Sequence, residues 1–283
     1  MRHLFCLLSI SLACMTASGQ HQPAKLTLKW SASNGIRTPE SALYDPGKQV
    51  IYVSNINGDA TAKDGNGFIS LLDISGHVKQ LHWTDGLNAP KGLAFDQNHV
   101  YVADIDQLVI INRNTGKIEQ RIPFPGATFL NDVTIDNQGR VYVSDTRQAK
   151  VFRYASGKVS VLLEGENMQG ANGLFFWKNK LWILTHHGIF TCDASGKNLK
   201  LFSDAVKDGD GIWNVNDQDL IVSQWIGHVY YVYASGKAVE LLNTQAEHKN
   251  TADISFIPSL HLLLVPTFMG NSVDAYVLST SSQ

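Results

Sequence analysis

The chain has 283 residues, with 25 acidic against 23 basic side chains and a formal net charge of −2. So even a balance gives no basis for a polyanion partner such as nucleic acid, whose binding needs clustered Lys and Arg. With 44% hydrophobic and 17% charged residues the chain is too apolar for disorder, and 23 glycines beside 27 Phe, Trp and Tyr point to strands and turns.

In chain order, residues 1–19 read as an export signal. Arg2 gives a positive start, Leu4 to Met15 an apolar core, and Ala17-Ser18-Gly19 a small-residue cleavage site. The apolar run is too short to span a bilayer as a helix, so no transmembrane segment is expected. Cys14 offers an alternative, a lipid anchor. The mature protein would then be residues 20–283, a single domain, periplasmic or secreted. Cys6 and Cys14 belong to the signal, so Cys192 stands alone in an apolar run and reads as a small buried hydrophobe.

Next comes a strand without a unit of its own, Lys25–Ser31, with Leu26, Leu28 and Trp30 alternating. From there the chain repeats. Aliphatic and aromatic runs recur at Val50–Asn55, Val100–Asp104, Val141–Asp145, Leu181–Thr185, Leu220–Gln224 and Leu262–Pro266. Each is preceded by a shorter apolar run: Ala42–Tyr44, Leu93–Phe95, Val133–Ile135, Leu174–Phe176, Ile212–Asn214 and Ile254–Phe256. Each of the first five is followed by a Ser-Gly or Thr-Gly hairpin, with glycines 76, 116, 157, 196 and 236 spaced 40, 41, 39 and 40 residues apart. Four short strands in about 40 residues, six times over, predict a six-bladed β-propeller. The last unit supplies three strands, ending at Ser272–Leu278, so Lys25–Ser31 is predicted to complete that blade and close the ring.

This geometry puts the starts of the inner strands at one mouth of the central channel and the hairpins on the other face. The mouth ring should be Glu40, Lys91, Asn131, Asn172, Asp210 and Ala252. Two carboxylates and two amides, without His or Cys, are donors for a hard divalent cation, calcium before magnesium, manganese or zinc. The alternative is a polar ring that binds only water and its neighbours. Loops between second and third strands should add His186, His187, Trp225 and Phe268, as a partly aromatic pocket or as exposed and packing side chains. The longest of these loops, Ile56 to Gly67, reads as a mobile flap. No Gly-x-Ser-x-Gly elbow is present, so a serine hydrolase is not expected.

Thr38-Pro39-Glu40-Ser41, Asn131-Asp132, Asp136-Asn137-Gln138-Gly139-Arg140, Ala171-Asn172-Gly173-Leu174 and Asp210-Gly211 resemble the senescence marker protein/gluconolactonase (regucalcin-like) family, blade for blade. The resemblance implies a six-bladed propeller with one divalent ion in the channel. By position it implies Glu40, Asn172 and Asp210 as ligands, Asn131 as a ligand or substrate contact, and Asp210 as the catalytic base. Sugar-lactone members carry an Arg two residues before the third-blade Asn, where this chain has Phe129. With Lys91, Phe129 joins the expected substrate pocket, and the ion site is better matched than the sugar site. The function expected is metal-dependent hydrolysis of a small lactone or ester; the alternative is a non-catalytic propeller that binds a small ligand or partner protein.

Overall fold

The computed structural model describes residues 24–280, so the expected export signal, its expected cleavage site and Cys14 lie outside the described residues. Strand β1 (Lys25–Ala32) comes first. The first blade is then β2 (Pro39–Asp45), β3 (Val50–Asn55), β4 (Gly67–Leu72) and β5 (Val78–Leu87). The second is β6 (Pro90–Phe95), β7 (His99–Asp104), β8 (Gln107–Asn112) and β9 (Ile118–Pro123), and the third β10 (Leu130–Ile135), β11 (Val141–Asp145), β12 (Lys150–Ala155) and β13 (Lys158–Glu164). The fourth is β14 (Leu174–Trp177), β15 (Lys180–Thr185), β16 (Gly188–Asp193) and β17 (Lys200–Ser203). The fifth is β18 (Gly209–Asn214), β19 (Leu220–Gln224), β20 (His228–Val232) and β21 (Ala238–Asn243). The sixth has β22 (Ser255–Ile257), β23 (Leu262–Pro266) and β24 (Val273–Ser279), and β1 pairs antiparallel with β24 as its outer strand. Six four-stranded antiparallel sheets in a ring make a six-bladed β-propeller, closed as the sequence predicts.

Strand alternation explains why the blades stack. Successive side chains leave a strand on opposite faces, and in a propeller both faces of a blade are covered. In β3, Ile51 and Val53 pack with Leu262, Leu264 and Ala275 of the sixth blade, while Tyr52 between them packs with Val100, Val102 and Val109 of the second. The same division recurs at every boundary. Tyr101 meets Val141 and Val143; Tyr142 meets Leu181 and Ile183; Trp182 and Leu184 meet Leu220 and Val222; Ile221 meets Leu263 and Val265. The six inter-blade clusters together are the core. Cys192 lies in one of them, 2% exposed, and burial pushes its thiol up to about 12, which leaves it inert.

The five hairpin glycines all adopt positive φ, between 74° and 85°. At Gly76 packing demands glycine as well: an added Cβ would lie 2.6 Å from the Trp30 ring. Trp30 also donates its indole N–H to the Ile74 carbonyl, so the closing strand is latched to the first blade's hairpin. No helix among the described residues is long and apolar enough to cross a membrane.

Candidate active site

The mouth ring is built by a repeated backbone irregularity. In four blades the inner strand carries an extra residue opposite the second strand, between Pro39 and Ala42, Pro90 and Leu93, Leu130 and Val133, and Gly209 and Ile212. A bulge of this kind re-aims side chains. Its first residue is Glu40, Lys91, Asn131 or Asp210, each a ring residue; its second is Ser41, Gly92, Asp132 or Gly211. In three blades a serine of the second strand holds the bulge: Ser54, Ser144 and Ser223 accept the N–H groups of Ser41, Asp132 and Gly211 at 2.8–2.9 Å. The approach to the ring is fixed from the end of the same strand. Asn55 accepts the Arg37 N–H, Asp104 those of Asn88 and Ala89, and Asp145 those of Thr128 and Phe129.

These constraints leave acceptor oxygens without donors. Glu40 Oε2, Asn131 Oδ1 and Asp210 Oδ1 are buried and make no hydrogen bond among the described residues. For Asn131 the orientation is enforced. Its Nδ2 donates to Thr146 Oγ1 at 3.0 Å, and that hydroxyl spends its own proton on the Ala171 carbonyl at 2.9 Å, so Asn131 Oδ1 must face away. Unmet buried acceptors cost free energy, and three from three blades are donors of the kind a divalent cation takes. Among the described residues no group of three or more His, Cys, Asp or Glu is placed to hold a metal, because the ring mixes two carboxylates with two amides.

The electrostatics agree. Burial, then the neighbouring carboxylates of Asp210, Asp253 and Asp132, push Glu40 well above the usual carboxylate range, and Lys91 offsets part of this. Asp210 is raised by burial and by Asp253, with the Asn172 amide working against the shift. Asp253, one residue below the ring, is raised to about 7 by burial, although a hydrogen bond from Ser41 lowers it. Four carboxylates thus share a low-dielectric channel with one ammonium. A bound divalent cation would let them ionise together.

Lys91 is 1% exposed, and its Nζ donates to the carbonyls of Ala60 and Ala89, both at 3.0 Å. Burial lowers its pKa to about 8. Phe129 lies beneath it, with the ammonium 4.5 Å from the ring centre, and the Arg147 guanidinium carbon stands at the same distance. The Ile56–Gly67 loop is therefore anchored where the sequence suggested mobility. Ala60 holds Lys91 and packs on the cluster of Ile56, Ala89, Ile105, Ala252 and Phe268, and Lys63 pairs with Asp106 across the rim.

Of the other expected pocket residues, Trp225 and Phe268 meet edge to face at 5.6 Å, with Phe268 packed over the ring residue Ala252. His186 is exposed, paired through Nδ1 with Asp208 and lying over Gly170, where an added Cβ would meet its ring. His187 is exposed, its backbone N–H on Thr185 Oγ1. Neither histidine side chain is hydrogen-bonded to a ring residue among the described residues. The sequence places the Asp145–Gln148 loop at the mouth without singling out Thr146 or Arg147, and Asp253 was missed. Ser54, Ser144 and Ser223, recurring at one place in the repeat, were the available signal for the bulges.

No known family profile matches the chain, and no curated protein matches it. Solved structures do. A gluconolactonase from Xanthomonas campestris superposes with a TM-score of 0.65 at 14% identity, over 90% of this chain and 90% of that one. A virginiamycin B lyase from Staphylococcus aureus gives 0.63 at 14%, over 91% and 100%. A chain of a nidogen–laminin complex gives 0.61 at 15%, over 73% and 80%. At such identities the likeness is one of fold, and the propeller of gluconolactonase type expected from the sequence holds at that level.

Proposed function

We propose that the chain is an exported hydrolase of a lactone or related small ester, working with one divalent cation, calcium first, at the mouth ring. The observation that carries this reading is the set of three buried acceptor oxygens, on Glu40, Asn131 and Asp210, that find no donor among the described residues. With Asn172 they are the residues that would hold the ion. The gluconolactonase among the structures of the same fold supports the substrate class.

A divalent cation there supplies Lewis acidity towards a carbonyl oxygen. The chain's own residues do the rest. Asp210, held in its bulge by Ser223, takes the proton of the attacking water. Lys91 has three N–H donors and spends two on Ala60 and Ala89, so the third is free for the substrate oxygen. Ala252 and Phe268 keep the mouth dry on one side, and Phe129 with Arg147 forms the opposite wall.

The test is a panel of lactones and aryl esters, assayed with calcium and with chelator. Asp210→Asn keeps a carbonyl oxygen for the ion and should lower turnover about 10²-fold or more, with metal content measured in parallel. A variant that keeps both its metal and its turnover would clear Asp210 of the base role. A wild-type protein that binds calcium yet hydrolyses nothing in the panel would favour the second reading, a ligand-binding propeller, which draws on Phe129 in place of a guanidinium.

A further inference from the structure

Below the mouth ring, among the inner strands, lies a cavity of about 190 Å³. Its walls are the lower parts of the inner strands, and they divide into two chemistries. Towards the ring stand Asp132, Asp253 and Ser41. Towards the hairpin face stand Phe95, Phe175 and Trp213, each with part of its surface still accessible, and none of Glu40, Lys91, Asn131, Asn172 or Asp210 lines the cavity.

The two carboxylates differ. Asp132 is 4% exposed and both its oxygens accept backbone N–H groups, from Val133 and Leu174 at 2.6 Å. Asp253 has one oxygen on the Ser41 hydroxyl at 2.5 Å, and its Oδ1 accepts no hydrogen bond among the described residues. Among the described residues no Lys, Arg or His pairs with it. It lies deep in the molecule and yet keeps accessible surface, because it faces the cavity. Opposite it the floor is aromatic. Trp213 stacks on Phe175 with centroids 4.8 Å apart and reaches across to the cluster that holds Phe95 and Leu93, on the far side of the ring.

We infer that the lower channel is a second ligand site, separate from the mouth, for a small organic ammonium compound with an aromatic or compact apolar body. The positive head lies against Asp253, and the body lies against Trp213, Phe175 and Phe95. A buried carboxylate without a counter-ion takes either a proton or a cation, and aromatic faces beside it attract the cation. An inorganic ion fits the lining less well, since calcium takes six to eight oxygens and the lower walls are aromatic and aliphatic. The size agrees: a dry cavity of about 150 Å³ takes benzene, so this one has room for a single ring and a short amine. The inference does not depend on the hydrolase reading.

The experiment uses the full chain with calcium present, followed by calorimetry and tryptophan fluorescence. The probes are benzylammonium chloride, its neutral isostere benzyl alcohol, and ammonium chloride. Benzylammonium should bind at least about tenfold more tightly than the alcohol, the scale of a desolvated cation on carboxylate and ring. Asp253→Asn should erase that preference, and Trp213→Ala should weaken both organic probes. Equal binding of cation and alcohol, or binding of neither, overturns the proposal. So does an equal response to ammonium chloride, which would make this an inorganic-cation site, or unchanged binding in Trp213→Ala, which would move the probe elsewhere. Should Asp253→Asn fail to fold, the comparison of the three probes on the wild type still decides.

Discussion

Two layers of the same channel, one residue apart in the chain, hold carboxylates in opposite conditions. In the ring, Glu40 and Asp210 each keep a buried oxygen without a donor. One step down, Asp132 spends both oxygens on backbone N–H groups, one of them across the blade boundary at Leu174. Glycines make this lower layer tight: a Cβ on Gly92 would lie 2.2 Å from Asp132 Oδ1, and one on Gly173 2.2 Å from the Asp210 carbonyl. A single bulge therefore supplies one residue with an unmet acceptor oxygen and one that ties neighbouring blades. Burial alone does not tell a binding carboxylate from a structural one; the count of donors does.

The largest expected effect is on the tie. Asp132→Ala leaves the Val133 and Leu174 N–H groups buried without acceptors and should cost about 3 kcal/mol or more in denaturant unfolding, with or without calcium. A loss that calcium restores would move Asp132 into the upper layer.

Next comes the response of the ring to pH. Glu40, Asp210 and Asp253 all have pKa values raised above their unfolded values near 4. The folded chain then binds more protons than the unfolded one, so their contribution is complete below about pH 4 and fades as pH rises towards about 7, the value at Asp253. In chelator the melting temperature should fall between pH 5 and pH 8, and calcium should remove the fall. Glu40→Gln should flatten the chelated profile and abolish most of the calcium-induced rise. A flat wild-type profile in chelator would defeat the assignment.

Smaller again is Thr146→Val, which frees the Asn131 amide to turn. Calcium affinity should drop 10- to 100-fold, the usual cost of losing a group that orients a ligand, for about 1 kcal/mol of stability. Unchanged affinity would show that Asn131 is not held for the ion. The smallest effect is at the rim, where His186→Ala removes an exposed pair with Asp208 and should change stability by less than about 0.5 kcal/mol. A large loss of turnover there would bring the imidazole into the chemistry.

The strands were legible because their chemistry is local. Val50–Asn55, Val141–Asp145, Leu220–Gln224 and Leu262–Pro266 are strands to the residue, since a run buried on both faces between turn signals leaves little freedom. The ring was legible one step further, from the place of Glu40, Lys91, Asn131 and Asp210 at the start of each inner strand. What the repeat could not show lies between blades. Thr146 matters because it stands between Asn131 and Ala171. Arg147 matters because it lies over Phe129. Asp253 carries no signal of its own in the repeat; only the closing of the ring sets it beside Ser41, 212 positions away in the chain. The anchoring of the Ile56–Gly67 loop was hidden for the same reason, since Ala60 carries no side-chain signal and acts through its carbonyl.

The pairing of β1 with β24 has a consequence for how the molecule comes into being. Lys25 meets Ser279 in register, and the two are 254 residues apart. The first strand to be synthesised must wait for the last. Until Val273–Ser279 arrives, the sixth sheet lacks its outer pair and the ring has two open flanks, both of them apolar. Contacts this distant slow folding, because the entropy of closing the loop is spent before any pairing returns it. The rate-limiting event should therefore be a late closure, with five blades able to gather locally and the sixth arriving as a latch. A chain that stops short of Val273 would keep most of its blades yet expose free strand edges, the surfaces through which β proteins associate.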